Sequence, residues 1–178
     1  YYDNMTFSTS AQNEVYDFDR IRDAIVLANS ITRADYVRDT KGNTGTGVKI
    51  GIVEAVGIPD ISNEYLTSSS LIIRPGDTGS DDHATAVALI FAGKGPNGVS
   101  FGLVPNAQLY CAHTPKYSTF VEAIEWMISS GVNVINGSLE NASNYGTYDN
   151  MSKWVDHIAA QHDIHCVFVS GNDPDAMN

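Results

Sequence analysis

The run Val48-Lys49-Ile50-Gly51-Ile52-Val53-Glu54-Ala55 is apolar almost throughout, without the alternating polarity of a strand that keeps one face in water. A strand of that kind needs cover on both faces, which points to helices packed on either side of a parallel sheet. The rest of the chain supplies the parts. Further strand-length runs fall at 70–75, 107–114, 132–138 and 165–172, with helical patterns between them. Ile21, Ile25 and Ala28 share helical spacing within 17–29, and a second short helix is expected over 31–39, before the turn Lys41-Gly-Asn-Thr-Gly-Thr-Gly47. Residues 83–93 read as a helix stopped by Gly93. The helix that follows 107–114 has Thr119 and Glu122 at capping-box spacing and Gly131 at its end. Met151, Trp154, Val155 and Ile158 lie on one face of a helix near 149–161. The expected fold class is α/β.

Composition narrows the function. With 178 residues, 43% of them hydrophobic and 17% charged, the chain is globular, and its glycines and prolines are scattered as turn punctuation with no linker, repeat or low-complexity tract. Ten Lys/Arg against 21 Asp/Glu give a formal charge of −11, which argues against nucleic acid and anionic membranes as partners. The longest uninterrupted apolar run, residues 86–92, is too short to span a bilayer. The N-terminal residues lack the basic and apolar regions of a signal peptide, so secretion would require a leader upstream. Cys111 and Cys166 lie in expected buried strands and read as small core residues.

In parallel sheets the site lies beyond the carboxyl ends of the strands. Glu54, Ser138 and Ser170-Gly171-Asn172 finish three of the strands, and His83 opens a helix near the same edge. A carboxylate beside an imidazole is an acid–base pair; the competing reading of Glu54 is a strand-end acid facing solvent or a lysine. His113 ends a strand and reaches the cleft rim at most, while His157, His162 and His165 read as surface residues. No two histidines have metal-ligand spacing with a third ligand in view. Asp77, Asp81 and Asp82 form an acidic stretch that reads either as a solvated turn or as a calcium site.

Five segments, in order, resemble the subtilase (subtilisin-like serine peptidase) family. Residues 44–58 resemble the segment of its triad acid, and Asp82-His83-Ala84-Thr85 the segment of its triad histidine. Residues 102–110, 123–140 and 166–173 resemble its Gly-Val-Ala-Pro-Asn-Ala, Val-Ile-Asn-x-Ser-Leu-Gly and Ala-Ala-Gly-Asn stretches. The resemblance spans roughly residues 30–175 and implies a three-layer subtilisin-like fold, with an arm and short helix over 1–30 and a partial catalytic domain over 31–178. It implies a serine endopeptidase with Glu54 and His83 as acid and base, Asn172 in the oxyanion hole, and Ser138, Leu139 and Glu140 in the strand that pairs with a peptide or protein substrate. It requires no cofactor, although many members bind structural calcium, and it favours an extracellular or cell-envelope location.

The departures carry expectations of their own. Glu54 stands where the family has Asp, and its longer arm still brings a carboxylate oxygen to the ring if the backbone sits slightly further away. Ala84 replaces a glycine and Ala86 a histidine, and Glu140 replaces a glycine against which substrate backbone packs. The family's nucleophile, in a Gly-Thr-Ser-Met-Ala helix start well after the oxyanion Asn, has no counterpart after Asn172. The sequence therefore leads us to expect that the serine lies beyond Asn178 and that this stretch alone is inactive. It also leads us to expect that the last strand is an edge needing the C-terminal portion or a second chain as cover. The alternatives are a subtilase-like pseudoenzyme acting as a protein-binding module, and a small-molecule-binding doubly wound domain. No Gly-x-Gly-x-x-Gly follows the first strand to support the second of these.

Overall fold

The computed structural model describes residues 6–7, 15–140 and 147–170. Five parallel strands form one sheet: β1 (Lys49–Glu54), β2 (Ser70–Ile73), β3 (Gln108–His113), β4 (Val134–Gly137) and β5 (His165–Phe168). Their order is β2-β3-β1-β4-β5, so the first strand in sequence is the central one. Helices α1 (Phe18–Thr32) and α2 (Asp82–Ala92) belong to one face, and α3 (Tyr117–Ser129) and α4 (Asn150–His162) to the other.

The alternation of β1 sorts its side chains between two cores. Ile50 and Ile52 pack with Leu109 and Cys111 beneath Val87, Leu89 and Ile25. Val53 packs with Ala112 and Ile135 beneath Phe120, Ile124 and Met127. Both faces of the strand are thus covered, as its unbroken apolar pattern requires. Gly51 has a steric role: a Cβ there would meet Met127 Sδ at 2.5 Å, so the missing side chain lets α3 settle directly on the strand. The apolar run at 86–92 is explained by α2, which is buried around most of its circumference.

Several local expectations shift by a turn. The helix expected at 31–39 forms over 34–40, its last five residues, Tyr36–Thr40, as a π-helical turn, because α1 runs on to Thr32 and ends at Arg33 in the left-handed region (φ 64°). The buried Arg38 of that turn donates to the Phe101 and Gly102 carbonyls at 3.1 and 2.9 Å, a tertiary tie that local pattern does not reveal. Residue 30, expected as a domain boundary, lies inside α1, and Ile25 of that helix shares a core with the sheet. Thr119 is not the cap of α3 but its third residue; its hydroxyl accepts from the Lys116 N–H at 3.1 Å and donates to the Lys116 carbonyl at 2.8 Å. Cys111 is buried and Cys166 half-buried, and both thiols are free.

The connections change side at β1. The route from β1 through β2 to β3 carries α2 across one face, and α3 and α4 return across the other. The crevice of such a sheet opens beyond the carboxyl ends of the two strands that flank the change, here β1 and its neighbour β4. Glu54 ends the first, and Ser138-Leu139-Glu140 run off the second. At the far side β5 pairs only with β4 among the described residues. Its Cys166 and Phe168 pack toward α3 and α4, while Val167 (56% exposed) and Val169 (40%) face outward on the other side. No described helix is long and apolar enough to cross a membrane.

Candidate active site

The carboxyl end of β1 is held on two sides. On one, the Glu54 carbonyl accepts both the N–H (2.7 Å) and the hydroxyl (3.2 Å) of the fully buried Thr114, extending the β1–β3 ladder one residue past the strands. On the other, the chain turns at Gly57 and clasps the segment before α2. The Ile58 N–H donates to Gly79 O at 3.0 Å, and the Asp81 N–H returns to Ile58 O at 2.9 Å. A Cβ on Gly57 would lie 2.7 Å from Gly79 O and 2.8 Å from Asp81 Cβ, so only glycine permits this approach. Asp81 then caps α2, its Oδ1 accepting the Ala84 N–H at 3.0 Å. The clasp and the cap place the first turn of α2, and His83 with it, over the end of β1.

His83 Nδ1 and Glu54 Oε2 are 2.9 Å apart. Glu54 is 1% exposed, whereas the His83 side chain keeps 20% of its surface in solvent. The Tyr16 ring stands edge-on to the imidazole, with centroids 6.5 Å apart and planes at 82°. The second carboxylate oxygen, Oε1, is buried without a hydrogen-bond partner among the described residues. Burial pushes the Glu54 carboxyl above its usual range; the hydrogen bond and charge of His83 oppose that rise, and nearby Asp81 adds to it. A carboxylate here accepts the Nδ1 proton, which places the lone pair of the neutral ring on Nε2 and favours the imidazolium once that nitrogen takes a proton.

The other residues singled out in the sequence fall as follows. Ser138 Oγ accepts from Asn136 Nδ2 at 2.9 Å, directly beyond β4. Leu139 is buried in the core with Val53, Ala55 and Phe120, so contact with a ligand would go through its backbone. Glu140 is half-buried, and its Oε2 is buried without a hydrogen-bond partner among the described residues. Asn172 lies outside the described residues. His113 does not stand at the cleft as an independent group; its Nε2 donates to Ala55 O at 3.1 Å and backs the turn that follows Glu54. Asp77 pairs with Arg74 at 2.8 Å and accepts the His113 N–H, and Asp81 is a helix cap. The acidic stretch therefore does not converge, and the described residues hold no group of three or more His, Cys, Asp or Glu able to bind a metal.

Thr114, Gly57 and Tyr16 support the site without a sequence signal that marks them. A different signal in the sequence misleads. Gly98-Val99-Ser100-Phe101-Gly102 has the Gly-x-Ser-x-Gly spacing of some hydrolase nucleophiles, but it lies in the loop after α2, where Lys94 and Ser100 form an isolated bridge. His83 lies in the first turn of α2 and Ser100 follows its end; nine residues of helix, about 13 Å, intervene.

The family model of the subtilases matches residues 45–178, three quarters of the sequence. The chain belongs to the subtilase family. Solved structures agree on the fold. The prenylagaramide maturation protease PagA is 20% identical, with a TM-score of 0.60 over 71% of this chain and 46% of that one. The patellamide maturation protease PatA is also 20% identical, with a TM-score of 0.59 over 72% and 50%. Fervidolysin from Fervidobacterium pennivorans, a keratinolytic enzyme related to subtilisin, is 19% identical, with a TM-score of 0.58 over 77% and 23%. The chain thus spans half or less of the length of these proteins. A comparison with curated protein sequences finds no match.

Proposed function

We propose that this subtilase chain carries the acid–base half of a peptide-hydrolysing site, with His83 as general base and Glu54 as the acid that orients it. The observation that carries this reading is the 2.9 Å contact between Nδ1 and Oε2 at the sheet's switch point. His83 Nε2 takes the proton of a serine hydroxyl as its oxygen attacks the scissile carbonyl carbon. Glu54 stabilises the imidazolium, and the Asn172 amide donates to the carbonyl oxygen as it becomes anionic. Collapse breaks the C–N bond, and the imidazolium returns its proton to the leaving amine. Water, deprotonated by the same nitrogen, then releases the acyl group. The peptide lies along Ser138-Leu139-Glu140 as an added strand. No cofactor enters these steps.

The serine is assigned to sequence beyond Asn178. The length of the solved relatives and the place of Ser100 beyond the end of α2 opposite to His83 support that assignment. The test compares the 178-residue chain with the longer protein using a fluorophosphonate probe. The reading requires labelling of the longer protein only, at a serine after Asn178, and a fall of about 10⁴–10⁶ in kcat/KM for His83→Ala, the scale found for triad removals in a related subtilisin. Labelling of Ser100 would reject the assignment of the nucleophile. Unlabelled protein that still binds peptides would leave a protein-binding module in place of the peptidase.

A further inference from the structure

Tyr16 stands beside the proposed base, and its place is set from the same core that carries His83. Asp17 caps α1, its Oδ1 accepting the Arg20 N–H at 3.2 Å, so Tyr16 is the residue immediately before the cap. The Tyr16 ring stacks on that of Phe18, with centroids 6.4 Å apart and planes at 28°. Phe18 in turn packs against the core that Ile25 of α1 shares with Val87 and Leu89 of α2. The phenol ring and the imidazole are thus mounted on two helices joined by one core. Their planes cross at 82° with centroids 6.5 Å apart, within the range of a perpendicular aromatic contact.

The acid by itself is a loose guide for this imidazole. Glutamate has one more rotatable bond than the aspartate it replaces, and its terminal torsion is broad, with no steep well to fix the carboxylate plane. Glu54 meets the ring through Oε2, while Oε1 has no hydrogen-bond partner among the described residues to hold the group from its other end. A bond to Nδ1 fixes one corner of the ring and leaves it able to turn about that corner. A flat, stiff side chain standing across the imidazole removes much of this freedom.

We propose that Tyr16 is a positioning residue, whose ring holds the His83 imidazole against Glu54 with the proton on Nδ1 and the lone pair on Nε2. This rests on the reading of His83 as general base. The longer arm of Glu54 brings the carboxylate to the ring, and Tyr16 supplies the rigidity that the arm lacks. Loss of the ring therefore lowers turnover without weakening peptide binding, because a base that wanders spends less time in attacking geometry. The plainer role for a residue just before a cap is to pack on the fourth residue of the helix, here Ile21. That role would change stability and leave the imidazole as it was.

The test is imidazole NMR of the longer protein, labelled in its histidines, at a pH where the His83 ring is neutral. Nitrogen shifts give the share of each tautomer, and the His83 signals are those absent from His83→Gln. Tyr16→Leu and Tyr16→Met remove the ring and keep apolar bulk; thermal melts confirm that they fold. In both, the Nε2–H share should rise about 2- to 10-fold, the scale of one aromatic contact. Their kcat should fall about 10- to 100-fold with KM changed by less than about twofold. Tyr16→Phe should recover the parental tautomer and most of the turnover. Parental tautomer shares in the ring-free variants, whatever their stability, or a Phe variant that behaves like Leu, would overturn the inference. If the parent labels with the fluorophosphonate probe in that case, the peptidase reading still stands. Shifted tautomers in a protein that neither labels nor hydrolyses peptides would reject the peptidase reading and leave the Tyr16 contact in place.

Discussion

Glu54 meets His83 through one carboxylate oxygen, Oε2, at 2.9 Å, while its other oxygen is buried with no partner among the described residues. A single hydrogen bond compensates only part of what it costs to bury the charge, so the contact that orients the imidazole is a liability to the fold. Function and stability therefore pull apart at this residue.

The first prediction follows from that conflict. Burial raises the folded carboxyl above the ordinary glutamate value of 4.5, so between the two values the native state holds more protons than the unfolded chain. Its contribution to stability thus falls as pH rises from 4.5 through the raised folded value, and stays lost above it. Glu54→Gln removes this dependence and leaves the same number of unsatisfied polar atoms. At pH 8 the variant should melt about 2–4 °C above the parent chain, with the gain shrinking toward pH 4. A gain of the same size at both pH values would mean that the buried charge is not its source. In the longer protein the same change should lower kcat by about 10⁴, as the wrong tautomer of the base is favoured.

Thr114 gives a second test. Its hydroxyl and its N–H both reach the Glu54 carbonyl, and Thr114→Val keeps the second bond and nearly the same shape. The loss should be about 1 kcal/mol in urea unfolding with an unchanged m-value. An unchanged midpoint would show that the hydroxyl contributes nothing to fixing the strand end.

Gly57→Ala should be the more damaging change. The added methyl would sit 2.7 Å from a backbone oxygen and 2.8 Å from Asp81 Cβ, neither of which can yield without moving the cap of α2. We expect a loss of about 1–3 kcal/mol, with displacement of His83 from Glu54 read out as a changed imidazole titration by NMR. A variant with parental stability and an unaltered His83 titration would show that the clasp does not position the pair.

These supports mark the limit of what the sequence discloses. The strands, their parallel arrangement and the pairing of Glu54 with His83 follow from local apolar pattern and from motif order, since each motif carries its residue to the same sheet edge. The clasp at Gly57 does not, because nothing local to that glycine names Gly79 and Asp81 as its neighbours. The extent of α1 and the π-helical turn depend on Arg38 finding carbonyls more than sixty residues away. Thr119 matched the capping pattern but sits inside the helix, because its hydroxyl bonds back to Lys116. The pentapeptide around Ser100 shows the same limit from the other direction, since its spacing fits a nucleophile while the fold places it after the end of α2 opposite to His83.

The last prediction concerns β5. Among the described residues this strand has a neighbour on one side only, and Val167 and Val169 leave apolar surface beside its unpaired backbone groups. An edge of this kind, with no lysine or proline to blunt it, is a template for pairing with another chain. We expect the isolated 178-residue chain to self-associate in a concentration-dependent way, and sedimentation equilibrium measures it. Val167→Lys places a charge at the exposed position, where it should weaken association by about tenfold or more while changing monomer stability by no more than about 0.5 kcal/mol. Association unaffected by Val167→Lys would place the contact elsewhere, the exposed apolar residues of α1 (Val26, Leu27 and Ile31) being the next surface to test.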